Sequence, residues 1–261
     1  MNEKKDEKSY TKTKNKQKEL LELLKRFDAF CSRHCIRYFV AYGTCLGAVR
    51  EKGFISWDGD IDIIIPLPEY EKLENAVNNE SEVGFAFVSY KSVQNAPNLM
   101  GRIYAKDFNL VNIEKYPYLD LFALCGAPSE EKKQKRFMRS ALLNYRIYWV
   151  KNRKYLHSLY RRKSIIGILL KLALLFVRKK VCINRFETLM YRFSFDKAKY
   201  IAPLTSLYCE RDVFLKQWID EEPVLLDFCD MKVPVIKEYH KYLVLLYGQQ
   251  YMTPKKFSRY K

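Results

Sequence analysis

The stretch from Tyr42 to Asp62 constrains this chain more than any other. It reads Tyr42-Gly43-Thr44-Cys45-Leu46-Gly47-Ala48-Val49-Arg50, then Gly53-Phe54-Ile55-Ser56-Trp57-Asp58-Gly59-Asp60-Ile61-Asp62. Asp60 and Asp62 stand two apart and lead into Ile63-Ile64-Ile65. Side chains on a strand alternate between its faces, so both carboxylates fall on one face. Oxygen ligands placed in that way suit one or two hard divalent cations, Mg²⁺ or Mn²⁺ in its place. Upstream, a buried strand over 38–42, a turn at Gly43-Thr44 and a short helix over 46–50, ended by Gly53, present backbone N–H groups at a helix start. Such a turn cradles phosphate. Glycine allows close approach of backbone to ligand, and Thr44 adds a hydroxyl. A metal pair beside this turn points to chemistry on a phosphate.

A third acid usually completes a site of this kind. Asp120 stands alone in Tyr118-Leu119-Asp120-Leu121-Phe122, where a charge is costly without a partner. A metal ligand and a buried, hydrogen-bonded aspartate both explain it. Arg50, Arg102 and Lys106 are candidates for gripping a diphosphate, Arg50 bidentately; a solvated basic face is the competing reading. Asp58 is given a supporting role, and Trp57 is read as packing.

Lysine and arginine total 47 against 30 acids, a formal net charge of +17. That balance attracts anions, whether nucleotides, phosphorylated sugars, nucleic acid or an acidic membrane, and does not choose among them. Residues 132–163 concentrate the charge among tyrosines. An apolar run over 165–177 follows, shorter than the roughly twenty residues that span a bilayer. It reads as a core helix or as a membrane-surface helix with basic flanks, which makes 132–180 a candidate contact with an anionic membrane. Stacking on single-stranded nucleic acid is less favoured, because it leaves the upstream acids unexplained. The seven cysteines show no disulfide framework and the Lys- and Glu-rich N-terminus no apolar leader. Both favour the cytoplasm, with peripheral attachment at the inner membrane face. Cys31, His34 and Cys35 lack a second ligand pair at zinc-finger spacing, and Cys31 and Cys35 are read as helical positions facing the core.

Residues 1–18 are expected to be a charged tail or the beginning of a helix. From Lys18 to Arg33, Leu20, Leu23, Leu24, Phe27, Phe30 and Cys31 recur at helical spacing. Strands are expected over 60–65, stopped by Pro66 and Pro68, and over 85–90, 101–106 and 118–122, with a helix over 69–78. These elements make an α/β catalytic core of residues 19–127. Pro128-Ser129-Glu130-Glu131 opens a basic, mainly helical region of residues 128–261, with a further helix over 237–246.

The 42–62 string closely resembles the signature of the LicD family, phosphotransferases of the nucleotidyltransferase superfamily that include bacterial phosphocholine transferases and fukutin-related enzymes. The resemblance continues through 118–122. It resumes at Val233-Pro234, Tyr242-Leu243 and Tyr247-Gly248-Gln249-Gln250-Tyr251-Met252-Thr253-Pro254, and covers 128–200 poorly. Gly59 stands where family members commonly carry a third consecutive aspartate, and Ser56 where they carry a proline. The resemblance implies a nucleotidyltransferase-like core with a mixed sheet flanked by helices. It also implies transfer of a phospho-alcohol, such as phosphocholine from CDP-choline, to a glycan or lipid-linked glycan hydroxyl of lipopolysaccharide, teichoic acid or capsule. Asp60, Asp62 and Asp120 would then hold Mg²⁺, Gly43-Thr44 the donor diphosphate, and Asp120 would also take the hydroxyl proton. Two readings compete: nucleotidyl transfer to a small molecule or RNA, and a non-enzymatic basic protein binding nucleic acid or membrane.

Overall fold

The computed structural model describes residues 3–80, 82–93, 96, 98–108, 116–152 and 177–254. The chain folds as a mixed α/β structure around a curled sheet. Helix α1 (Glu3–Arg33) comes first and includes the charged N-terminal stretch. Strand β1 (Phe39–Val40), helix α2 (Tyr42–Glu51), strand β2 (Ile61–Pro66) and helix α3 (Leu67–Asn79) follow. Strands β3 (Phe85–Val88), β4 (Gly101–Ala105) and β5 (Tyr118–Ala127) lead to helices α4 (Glu131–Asn152) and α5 (Lys179–Met190). Strand β6 (Tyr200–Pro203), a 3₁₀ turn at Cys209–Asp212, strand β7 (Phe214–Leu215) and the single turn α6 (Gln217–Asp220) come next. The hairpin β8 (Val224–Phe228) and β9 (Met231–Val235) precedes helix α7 (Tyr239–Tyr247).

Strand β5 organises the sheet. One edge pairs in parallel with β2 over 119–124; the other pairs antiparallel with β4 over 118–121 and then with β6 over 124–127. Antiparallel β1, β3 and β7 complete it. Alternation divides the core between two faces. Ile61, Ile63, Ile65, Leu119 and Leu121 pack with the Leu20–Cys31 stripe of α1. Ile64, Phe122 and Leu124 pack with Phe137, Met138 and Ala141 of α4 and Phe186 of α5. Asp62 and Asp120 share the parity of this second face.

Several local expectations need correction. The expected strand over 38–42 is only Phe39–Val40, and Tyr42 already belongs to α2. The change of direction falls at Tyr42 itself, whose φ of 46° is left-handed. Gly43-Thr44 is therefore the first turn of a helix, not a linker before one. Pro66 does not stop β2 from outside but is its last residue, and α3 begins at once with Pro68 in its first turn, where its missing N–H costs nothing. The expected helices over 69–78 and 237–246 are Leu67–Asn79 and Tyr239–Tyr247. The apolar run over 165–177 lies, save for Val177, outside the described residues, as do the basic residues of 153–163. Among the described residues no helix is long and apolar enough to cross a membrane.

Candidate active site

Both backbone polar groups of Asp62 are tied to the entrance of α2. Its carbonyl accepts from the Ala41 N–H at 2.9 Å, and its N–H donates to the Thr44 hydroxyl at 2.9 Å. The helix start and the Asp-x-Asp strand are thus one unit. Asp62 stands opposite Asp120 in the β2–β5 ladder, which puts the two carboxylates side by side. Asp60 lies just before β2, exposed, and Asp58 closes the group. Burial, and then the like charges of Asp60, Asp120 and Asp58, push the Asp62 carboxyl well above the ordinary range. Burial also raises Asp120, against the pull of Arg102.

Arg102 donates from Nε to Asp120 Oδ1 at 2.7 Å, and its guanidinium lies 3.8 Å from the centroid of the Tyr118 ring. Burial would lower its pKa, but the Asp120 charge and hydrogen bond, together with the Tyr118 and Tyr104 phenols, raise it. A second cation comes from α1. Lys16 lies over the same Tyr118 ring at 5.8 Å, and its charge acts on Asp120. The neighbouring Gln17 donates to the carbonyls of Ile55 and Asp58 at 3.2 and 2.7 Å, fixing the loop before the acids. Among the described residues no three His, Cys, Asp or Glu side chains are gathered closely enough to hold a metal ion. Even so, the donor set is all carboxylate oxygen, and repulsion within it raises Asp62. A hard divalent cation would relieve that repulsion, so the residues suit such an ion chemically.

These acids floor a cavity of about 450 Å³. Asp60, Asp62, Asp120, Gly43, Arg50 and Arg102 all line it. Thr44 does not: it is buried, with its hydroxyl committed to Asp62. Lys106 is exposed at the far end of β4, in a separate groove with Lys18, Arg26 and Tyr116. At Gly43 a Cβ would fall 2.5 Å from Asp58 Oδ2, so the Asp58 carboxylate occupies the place above the helix N-terminus where an anion binds. Arg50 is held by Glu51 at 2.7 Å.

The walls were not legible in the sequence. Tyr42, Phe122, Tyr145, Trp149, Tyr208 and Tyr247 face the cavity, with Thr205 and Ser206 beside them. Tyr42 stacks on Tyr208 at 5.5 Å and meets Phe122 edge-on at 5.0 Å, while Tyr208 meets Tyr247 edge-on at 5.7 Å. Twenty tyrosines give no local mark to single these out, and Lys16 and Gln17 lie in the stretch expected as a charged tail or the beginning of a helix. The Cys31–Cys35 segment serves elsewhere. Cys31 is buried in the core and His34 meets Glu80 at 2.7 Å, but Cys35, expected on the core face, lies beyond the end of α1 and is exposed.

Comparison with known proteins places this geometry in a family. The chain is 23% identical over 246 residues to the lipopolysaccharide cholinephosphotransferase LicD of Haemophilus influenzae, covering 90% of this chain and 89% of that protein. It is 32% identical over 88 residues to an uncharacterized protein of Rickettsia prowazekii, covering 34% of this chain and 33% of that one. The family model described as LicD/FKTN/FKRP, nucleotidyltransferase domain, matches residues 35–167. That match takes in just over half of the 261 residues and every acid of the cavity floor, and the chain belongs to the LicD family.

Proposed function

We propose that this chain transfers a phospho-alcohol, phosphocholine from CDP-choline in the first instance, to a hydroxyl of a cell-surface glycan. One observation carries the reading: an acid floor, built from registered strands under a helix N-terminus, lies beneath an aromatic wall in a single cavity. An aromatic wall over carboxylates suits a quaternary ammonium, which ring faces attract. The kinship with a lipopolysaccharide cholinephosphotransferase supports the same choice.

Drawn closer together than they stand here, Asp60, Asp62 and the Asp120 oxygen not bonded to Arg102 would hold Mg²⁺, or Mn²⁺ in its place. Bound there, the cation would neutralise charge on the phosphoryl oxygens. Arg102 and Arg50 draw the donor diphosphate to the floor. The N-terminus of α2 adds its dipole once Asp58 turns from Gly43. The acceptor hydroxyl attacks the phosphorus bearing choline, its proton passes to a floor carboxylate, and CMP leaves. Catalysis rests on positioning and charge neutralisation.

Helices α4 and α5 expose basic residues, among them Lys132, Lys133, Arg136, Arg146 and Arg185, together with Leu143 and Val181. This face supports peripheral contact with an anionic membrane at the cytoplasmic side, where a lipid-linked glycan would be met.

The experiment is to follow product release from CDP-choline, with Mg²⁺ and envelope glycan of the source organism as acceptor. CMP should appear, and Asp60→Asn and Asp62→Asn should each slow it by about 100-fold or more while retaining the folded spectrum. Pyrophosphate release from a nucleoside triphosphate instead of CMP release would establish nucleotidyl transfer and sink the proposal.

A further inference from the structure

Behind the aromatic wall lies a carboxylate that the reaction above does not use. Asp212 closes the 3₁₀ turn Cys209–Asp212 and is fully buried. The Tyr42 phenol donates to its Oδ2 in a short hydrogen bond, and the Ser206 hydroxyl adds a second. Among the described residues its Oδ1 has no hydrogen-bond partner, nor does the hydroxyl of the nearby Tyr242. Among the described residues the titratable groups that face Asp212 are the phenols of Tyr42 from α2, Tyr242 from α7 and Tyr208 from the wall. Its neighbour Arg211 is exposed, and Arg139 of α4 is bonded to Glu210 at 3.3 Å. Burial raises the Asp212 carboxyl to about 6, against the two hydroxyl bonds.

A buried charge with an unused oxygen is a poor way to fill a core. Asp212 grips instead the residue on which the site turns. Tyr42 carries the left-handed φ that swings the chain from β1 into α2, a conformation a bulky residue holds only when its surroundings compel it. The next two residues set the floor: Gly43 lies against Asp58, and Thr44 holds the Asp62 N–H. Tyr42 and Ser206 both line the cavity. A shift of the Tyr42 ring therefore reaches the wall and the floor together.

We propose that Asp212 is a positioning residue, which from the C-terminal half of the chain holds Tyr42 and Ser206 on the cavity wall and so sets the start of α2 against Asp62. The kinetic readout rests on the transfer reaction proposed above; the stability and binding readouts do not. The sign of the stability effect follows from linkage. A carboxyl raised in the fold binds its proton more tightly there than in the unfolded chain. Its contribution is therefore fully present below the unfolded value of 3.8 and is lost as pH rises to about 6. At neutral pH the ionised group weakens the fold, and Asp212→Asn removes that penalty.

The test compares wild type with Asp212→Asn and with Tyr42→Phe, which keeps the ring and loses the bond. Both variants should lose about 100-fold in kcat for CMP release, far more than the roughly five- to tenfold rise expected in KM for CDP-choline. Asp212→Asn should also have a urea midpoint at neutral pH at or above that of wild type. Wild-type kcat in either variant overturns the proposal, as does a loss of activity in Asp212→Asn that only tracks a lowered urea midpoint. If wild type itself releases no CMP, the transfer reading fails on its own, and calorimetric titration with CMP decides the positioning role. Binding weakened about fivefold or more at undiminished stability supports it, and undiminished binding overturns it.

Discussion

Gly47 and Gly59 respond differently to an added methyl group. At Gly47 a Cβ would lie 2.4 Å from the Gly53 carbonyl oxygen, backbone against backbone, where nothing flexible can give. Gly47→Ala is expected to lower stability by about 1–3 kcal/mol in urea unfolding. Gly59→Ala would meet only the Lys16 side chain, at 3.7 Å, and should stay within about 0.5 kcal/mol of wild type. The Arg102–Asp120 pair is a second residue-scale case, with both side chains about 12% exposed. Removing one partner strands the other charge among like charges. Arg102→Met should cost about 3 kcal/mol in unfolding measured with EDTA, and adding Asp120→Asn should recover most of it. Single-residue chemistry was the most legible layer: Asp60 and Asp62 declared themselves by spacing, and Asp120 by standing alone in an apolar strand. Thr44 did not, because its partner is a backbone N–H of a strand that only the fold brings beside it.

At the scale of elements, α1 and α2 build the floor as much as β2 does. The stripe Leu20, Leu23, Leu24, Phe27, Phe30 and Cys31 marks α1 as a core helix, since helical periodicity is a local signal. The periodicity says nothing about Gln17 at the charged end, which reaches the carbonyls of Ile55 and Asp58. In α2, Thr44→Val keeps the shape and deletes the oxygen that satisfies Asp62. It should cost about 1–3 kcal/mol, the penalty for a buried N–H left unpaired. Faster amide exchange at Asp62, with exchange at Ile65 unchanged, would locate that loss at the α2–β2 junction. The short reach of β1 follows from the same junction: Tyr42 turns left-handed, and no extended residue can follow in register.

At the scale of the whole molecule, charge is divided between two surfaces. The cavity floor is acidic, while the exposed face of α4 and α5 is basic and carries Leu143 and Val181. Replacing Lys132, Lys133, Arg136 and Arg146 together with glutamine should weaken binding to vesicles containing anionic lipid by more than about tenfold at low salt. Transfer to a soluble acceptor should be unaffected. The measurement is co-sedimentation across a salt series, and equal binding by the variant would remove the membrane from the account. The C-terminal half also enters the sheet and the site. β6 pairs with β5 beyond the reach of β4, the tip of the β8–β9 hairpin ties to the end of α2 through Cys229 and Lys52, and residues 205–208 wall the cavity.

The sequence by itself determined the family, the α/β class, the core stripe of α1 and the nearness of Asp60 and Asp62 at the head of one strand, although Asp60 stands just outside it. These follow from periods of two and 3.6 residues and from short motifs, all local in the chain. Only the tertiary structure decided which aromatic rings wall the cavity, that Thr44 serves Asp62 and not a ligand, that Lys106 stands apart, and that Asp212 grips Tyr42. Those contacts join residues far apart in sequence, Tyr42 and Asp212 by 170 positions. Strand pairing and core packing set them, and neither leaves a local pattern to read.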